Sequence, residues 1–173
     1  MKKNWYAVYT KACSEKKVTA LLTKKNIENF CPENHQVDHL GIGRKKVFNP
    51  LFPSYVFVYA SHEELGVIKN ISGVINFVYW LSSPAVVKAD EIDAIKHFSN
   101  DYYNISVDKT LVNPGENIRF IGEPSITSKD NMISIKSKSV KVVLPTLGYL
   151  MVAELSNNQS NFLHGMEQLK YVS

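Results

Sequence analysis

Residues 50–59 are the segment that most constrains the fold, because aromatic and aliphatic side chains alternate there after two prolines. In an extended strand, successive side chains point to opposite faces. Tyr55, Phe57 and Tyr59 therefore share one face, while Val56 and Val58 share the other. The aliphatic row is typical of a buried face. The aromatic row has two interpretations: it is left open for a protein partner, or a helix covers it as well.

The other segments within the first 100 residues predict helices between strands. Ser14 follows a strand-like run at 5–10 and offers an N-cap for a helix that includes Val18 and Leu22. The further predicted elements are a strand around 34–40, a turn at 41–43, a helix at 62–70, an extended run at 74–79 and a helix at 89–99. This order, β-α-β-β-α-β-α, predicts an α+β domain.

The second half of the chain shows a different pattern. Residues 101–110 are polar and rich in tyrosine, which favours a linker between a first domain at 1–100 and a second at 111–173. The second domain has no helical period. Its short β-like segments are separated by Gly, Pro, Ser and Asn, and they lie at 117–121, 132–136, 140–144 and 150–155. About 60 residues of short strands predict a small β-barrel.

Composition agrees with a soluble globular protein. The 173 residues are 45% hydrophobic and 21% charged, with a net charge of +4 that permits nucleic-acid contact without requiring it. No segment resembles a signal peptide or approaches the length of a membrane span. Cys13 and Cys31 match neither a disulfide framework nor a zinc pattern. We therefore expect a cytoplasmic protein with free thiols and no membrane contact.

The sequence contains no local pattern typical of catalysis or metal binding. His35 and His39 flank Asp38, but four residues of strand separate the rings by about 13 Å, which is too far for one ion. The glycines of residues 41–43 lack the helix and third glycine of a dinucleotide loop. We expect a protein that is not an enzyme and that needs no cofactor or metal.

Three motifs in order resemble one family. Residues 5–10 (Trp-Tyr-Ala-Val-Tyr-Thr), 50–58 (Pro-Leu-Phe-Pro-Ser-Tyr-Val-Phe-Val) and 71–78 (Ile-Ser-Gly-Val-Ile-Asn-Phe-Val) are similar to the amino-terminal domain of NusG-type transcription elongation factors. Residues 82–87 look more like the specialised paralogs, RfaH and the UpxY antiterminators of polysaccharide operons. The resemblance implies an antiparallel sheet flanked by helices, followed by an SH3-like (KOW-type) barrel. Residues 122–128 lack that barrel's usual glycine-rich turn.

The resemblance also implies partners. In NusG-like factors an apolar depression docks onto the clamp helices of the RNA polymerase β′ subunit, which raises processivity. By motif position, this role is expected at Tyr9, Tyr55, Phe57 and Phe77. For Phe77, core packing is the alternative. The second domain would recruit a ribosomal protein or a termination factor, and the factor itself is expected to be a monomer.

Basic residues suggest contact with nucleic acid. Lysines neutralise phosphates, so those near the first helix are candidates for binding the non-template DNA strand of the transcription bubble, and a basic run at a predicted hairpin tip could reach duplex backbone. These candidates are Lys11, Lys16, Lys17, Lys24, Arg44, Lys45 and Lys46. A solvated surface is the alternative for each. A KOW-type RNA-binding or ribosome-associated module is the alternative function, although residues 51–59 contain no basic residue to accompany base stacking.

Overall fold

The computed structural model describes residues 2–35, 49–109, 119–121, 127–129, 132–134 and 139–154. Its elements, in chain order, are β1 (Lys3–Thr10), α1 (Glu15–Lys24), β2 (Glu28–Phe30), β3 (Tyr55–Ser61), α2 (Glu64–Lys69), β4 (Val74–Phe77), β5 (Tyr79–Trp80), β6 (Ser83–Pro84), β7 (Val86–Val87), α3 (Ala89–Asp101), β8 (Ser106–Lys109), β9 (Arg119–Ile121), β10 (Thr127–Lys129), β11 (Met132–Ser134), β12 (Ser139–Leu144) and β13 (Tyr149–Glu154). The three predicted helices are confirmed. Most of the strand predicted at 34–40 and the turn at 41–43 lie outside the described residues.

The first sheet is antiparallel and is built around β1. Its strand order is β2-β3-β1-β4, and β7 also pairs with β1. The register of β1 and β3 sets Ala7 opposite Phe57 and Tyr9 opposite Tyr55. Paired residues in adjacent strands point to the same face of the sheet. The alternation of β3 therefore continues into β1, and the sheet has one aliphatic and one aromatic face.

Helices α1 and α2 cover the aliphatic face. Val56 and Val58 are fully buried there with Val18 and Leu22 of α1 and Ile68 of α2. The first helix begins after Ser14, as predicted, although the Ser14 side chain makes no capping hydrogen bond. These contacts join segments that lie within the first 77 residues of the chain.

The aromatic face packs against α3 and the second half of the chain. Phe57 shares one core with Ile92 and Ile95 of α3 and with Leu144 and Met151 of β12 and β13. The interpretation that a helix covers the aromatic row is therefore correct in part. Strands more than 80 residues away complete the cover, which local periodicity could not indicate.

The later strands form a second antiparallel sheet with the order β8-β13-β12-β9, while β10 and β11 pair with each other. Within the described ranges this sheet is an open one, and the predicted barrel stays a prediction. Residues 106–109 belong to the sheet through β8, although polarity predicted a linker at 101–110. Ile105 and Val107 pack inward between polar neighbours, and two apolar residues are too few for a clear strand pattern. No helix in the described ranges is long and apolar enough to cross a bilayer.

Candidate functional site

The aromatic surface consists of Tyr9, Phe52, Tyr55, Phe57 and Tyr59, on one face of the first sheet and in the turn that precedes β3. Phe57 is only 1% exposed, whereas Tyr9 is 39% exposed. Phe52 and Phe57 meet edge to face, with their ring centroids 5.7 Å apart. Aromatic pairs of this kind are stiff and add to the energy of area burial. The surface therefore keeps its shape, which favours recognition of a partner.

A buried carboxylate holds the start of β3 in place. Glu15, at the first turn of α1, is 4% exposed and accepts a hydrogen bond from the backbone N–H of Ser54 at 2.7 Å. The carbonyl of Ser54 in turn accepts the N–H of Thr10 at 2.9 Å. Ser54 has φ 65°, in the left-handed region that few residues other than glycine adopt. These bonds stabilise a strained turn and so determine where Tyr55 begins the aromatic row.

Three tyrosines join the aromatic surface to the second sheet. The hydroxyl of Tyr55 donates a hydrogen bond to Tyr9, and the hydroxyl of Tyr149 lies 3.2 Å from it. Since Tyr55 has a single proton to donate, Tyr149 is the donor in the second bond. Burial, followed by these two hydrogen bonds, raises the pKa of Tyr55 above its ordinary value. The cluster therefore stays protonated at neutral pH.

Tyr149 also covers the turn before β3. Its ring meets Phe52 edge to face at 5.6 Å and Tyr55 at 6.1 Å. Beside these rings lies a cavity of about 290 Å³, which the 49–53 turn, Asn34 and Val107 help to line. The packing between the two sheets is therefore incomplete at this edge. Sequence reasoning missed Tyr149 because no local pattern relates it to β3.

Two polar contacts fasten the second half of the chain to the first. Glu91 of α3 is fully buried, and its Oε1 accepts the backbone N–H of Thr146 at 2.7 Å. Its Oε2 is buried with no hydrogen-bond partner among the described residues. The side chain of Asn34 bonds both backbone groups of Ile105, at 2.7 and 3.0 Å. The first contact is only half satisfied, which makes this interface weaker than its apolar area suggests.

Helix α3 covers the far end of the aromatic surface. The Nζ of Lys96 lies 5.2 Å from the ring centroid of Trp5 and 5.6 Å from that of Phe30. Trp5 packs on Tyr59 at 5.3 Å. These cation–π and aromatic contacts stabilise α3 on the sheet. The Tyr9 end has no such helix, and only Tyr149 and its strands lie over it.

Phe77 lies away from the other predicted docking residues. It is 3% exposed on the aliphatic side, where it packs edge to face against Tyr6 at 6.1 Å. The structure thus brings Tyr9, Tyr55 and Phe57 together and places Phe77 in the opposite core. A role for Phe77 in docking stays a prediction without a shared surface to support it.

The predicted nucleic-acid residues fall into two groups. Four lysines have exposed side chains on α1 or in the loop before it, and they are Lys11, Lys16, Lys17 and Lys24. Arg44, Lys45 and Lys46 lie outside the described residues. In the described ranges, no group of three or more His, Cys, Asp or Glu side chains could hold a metal ion. The positive charge near α1 therefore flanks the aliphatic layer, separate from the aromatic surface.

Comparisons with known proteins identify the family. The family model described as transcription termination factor NusG matches residues 3–96, more than half of the chain. A solved structure of a domain interaction in Thermotoga maritima NusG has 22% identity, covers 92% of this chain and 96% of its own, and superposes with a TM-score of 0.52. At that identity the likeness shows the fold alone. No curated protein matches the sequence. The chain belongs to the NusG family, which consists of transcription factors and not of enzymes.

Proposed function

We propose that this protein binds elongating bacterial RNA polymerase through the aromatic surface, with the β′ clamp helices as its partner. The observation that carries the proposal is the continuous layer of Tyr9, Phe52, Tyr55 and Phe57, held rigidly by the Glu15–Ser54 bond. A helix pair needs a preformed row of apolar side chains to dock against. Few residues dominate such interfaces, and aromatic residues are prominent among them.

Binding would raise processivity by a shift of populations. A factor that bridges the clamp and the opposing lobe across the DNA channel binds the closed, pause-resistant polymerase better than the open one. A ligand shifts such an equilibrium only through that difference in affinity. This mechanism needs no chemistry at the surface, in keeping with a tyrosine and phenylalanine layer.

Docking requires the second sheet to move away. Phe57 is 1% exposed, and Tyr149 covers Phe52 and Tyr55, so a helix cannot reach them while β12 and β13 remain in place. The contacts that would be lost include the half-satisfied Glu91 and the rings beside the cavity. The polymerase and the second sheet therefore compete for one surface, and the apparent affinity falls with the fraction of molecules that are open.

The lysines would act on the DNA. Lys11, Lys16, Lys17 and Lys24 form an exposed basic group on the α1 side, and the non-template strand of the bubble is a polyanion. Each lysine that neutralises a phosphate adds salt-dependent affinity without sequence preference. Arg44, Lys45 and Lys46 belong to the same proposal on sequence grounds.

The narrower proposals rest on the sequence resemblance. They are a specialised role like that of RfaH and the UpxY antiterminators, action at particular operons such as those for polysaccharide synthesis, and activity as a cytoplasmic monomer. Once released, the second domain would be free to recruit a ribosomal protein or a termination factor. Release is the step that would link polymerase binding to this recruitment.

The test is calorimetric binding to a purified fragment that carries the clamp helices. The variant Tyr9→Thr/Tyr55→Thr removes two rings of the surface and keeps residues suited to strands. We expect its affinity to fall at least about tenfold. Val67→Thr is the matched control, because Val67 is 46% exposed on α2, on the other side of the sheet. Wild-type binding that survives in the double variant would overturn the proposal.

A further inference from the structure

A second apolar feature lies beside the aromatic surface and outside its cover. The hairpin of β5 and β6 pairs Tyr79 with Pro84 and Trp80 with Ser83. Trp80 is 58% exposed and Leu81 is 85% exposed, and Tyr79 and Val86 are both more than 40% exposed. Single exposed apolar residues are ordinary, but consecutive ones at the tip of a hairpin are typical of an interaction site.

The turn of this hairpin is strained. Leu81 has φ 47° and Ser82 has φ 65°, so two consecutive residues other than glycine adopt the left-handed region. A two-residue turn with both φ values positive is normally formed by Asn and Gly. Leucine is a poor residue there, because its side chain crowds the backbone. The turn thus holds a leucine in full solvent exposure at a conformational cost, and strain of this kind clusters at functional sites.

The hairpin is rooted in the same strand as the aromatic surface. The N–H of Val78 donates to the carbonyl of Ala7 at 2.9 Å, and Val87, just after the hairpin, pairs with Trp5. Val78 and Val87 pack into the core that contains Phe57. The hairpin therefore continues the aromatic surface beyond the edge that β12 and β13 cover, and it remains exposed while that surface is closed.

The chemistry of the hairpin favours a protein over a nucleic acid. From Tyr79 to Val87 the sequence contains no charged residue, so nothing in the hairpin would neutralise a phosphate. Trp and Tyr supply rigid contact area, and Leu81 adds an aliphatic tip. An apolar protein surface continuous with the partner of the aromatic surface fits these residues.

We propose that the hairpin Tyr79–Val86 makes the first contact with the polymerase, before the second sheet leaves the aromatic surface. This inference rests on the proposed function and adds an order of events to it. The hairpin captures the clamp helices from the closed form. Opening of the second sheet follows within the encounter complex, and the tyrosines then dock.

The experiment measures association and dissociation rates of the full chain with the clamp-helix fragment by surface plasmon resonance. The variant Trp80→Thr/Leu81→Asn removes both apolar side chains, and Asn tolerates the left-handed conformation at position 81. Thermal unfolding followed by circular dichroism verifies that the variant is folded. We expect the association rate to fall about tenfold, with a smaller change in the dissociation rate. Val67→Thr should leave both rates unchanged.

The outcomes separate the two proposals. An unchanged association rate in the hairpin variant, with normal wild-type binding, would overturn the first-contact role and leave the proposed function standing. A change confined to the dissociation rate would also overturn it, because the hairpin would then act only after docking. Absence of wild-type binding to the fragment would overturn both proposals together.

Discussion

The two faces of the first sheet are buried to a similar degree, but by different parts of the chain. Val56 and Val58 are sealed by α1 and α2, which lie within the same 77 residues. Phe57, between them in β3, is sealed by α3 and by strands from residues 139–154. One cover is part of the domain that forms the sheet. The other is in part a separate sheet that could leave while the first sheet stays intact.

The difference shows what burial alone does not reveal about function. A residue with 1% exposure can belong either to a permanent core or to a surface that an intramolecular partner occupies. The contacts distinguish the two cases: Val56 meets only local aliphatic side chains, whereas the aromatic surface meets Tyr149 through hydroxyl groups. Polar groups that can regain water on opening are typical of separable interfaces, not of obligate cores.

The largest expected effect is on stability at the junction of the layers. Phe57→Ala should lower the free energy of unfolding by about 3–5 kcal/mol, because it leaves a cavity among Phe52, Phe30 and the α3 side chains. Urea unfolding followed by circular dichroism measures the change. A loss below about 1 kcal/mol would mean that the aromatic face is loosely packed even when covered.

Gly73→Ala tests the aliphatic side separately. Gly73 has φ +100°, and an added Cβ would lie 2.9 Å from Cγ2 of Val18 on α1. Strain and crowding should cost about 1–3 kcal/mol of unfolding free energy. Because α1 does not cover the aromatic surface, affinity for the clamp-helix fragment should not change as long as the variant is folded. A parallel loss of affinity would show that the two faces are coupled.

Glu91 tests the cover of the aromatic side. Glu91→Ala deletes the acceptor for the N–H of Thr146, and a buried donor without a partner costs about 1–3 kcal/mol. The second sheet should then open more often, and the affinity for the clamp-helix fragment should rise. Glu91→Gln retains an amide oxygen as acceptor and should behave like the wild type in calorimetry. Equal affinities for Glu91→Ala and the wild type would argue against a cover that limits binding.

The smallest effect concerns pH and belongs to α2. Hydrogen bonds from the Ser61 N–H and then from Lys3 hold the pKa of Glu64 below its ordinary value. Its stabilisation is complete at neutral pH, above the unfolded-state pKa, and is lost as the pH falls through the lower folded-state pKa. Both side chains are partly exposed, so the contribution is at most about 1 kcal/mol. Acid unfolding of Glu64→Gln beside the wild type measures it, and identical pH profiles would contradict it.

Local patterns predicted the elements of the first domain well. Alternation in β3 separated Tyr55 and Phe57 from Val56, and helical spacing located α1, because each signal lies within one element. The strand at 106–109 was missed because only Ile105 and Val107 carry its signal. The position of Phe77 was also obscure, since the register of β4 on β1 shifts at Tyr9 and Thr10.

The cover of the candidate site was beyond sequence reasoning. Tyr149 meets Tyr55 across 94 positions of chain, and Thr146 meets Glu91 across 55. No periodicity relates such distant residues, and their contacts depend on how two sheets pack. The residue types were nevertheless visible: a tyrosine and a buried glutamate at the ends of regular elements are candidates for contacts between packed units.

The most direct test of the competition is the affinity of Tyr149→Ala for the clamp-helix fragment. The substitution removes the ring over Phe52 and Tyr55 and leaves the aromatic surface of the first sheet unaltered. The account predicts tighter binding than the wild type, by about tenfold for each 1.4 kcal/mol of cover that is lost. Binding equal to or weaker than that of the wild type, by a folded variant, would contradict the claim that the second sheet and the polymerase share one surface.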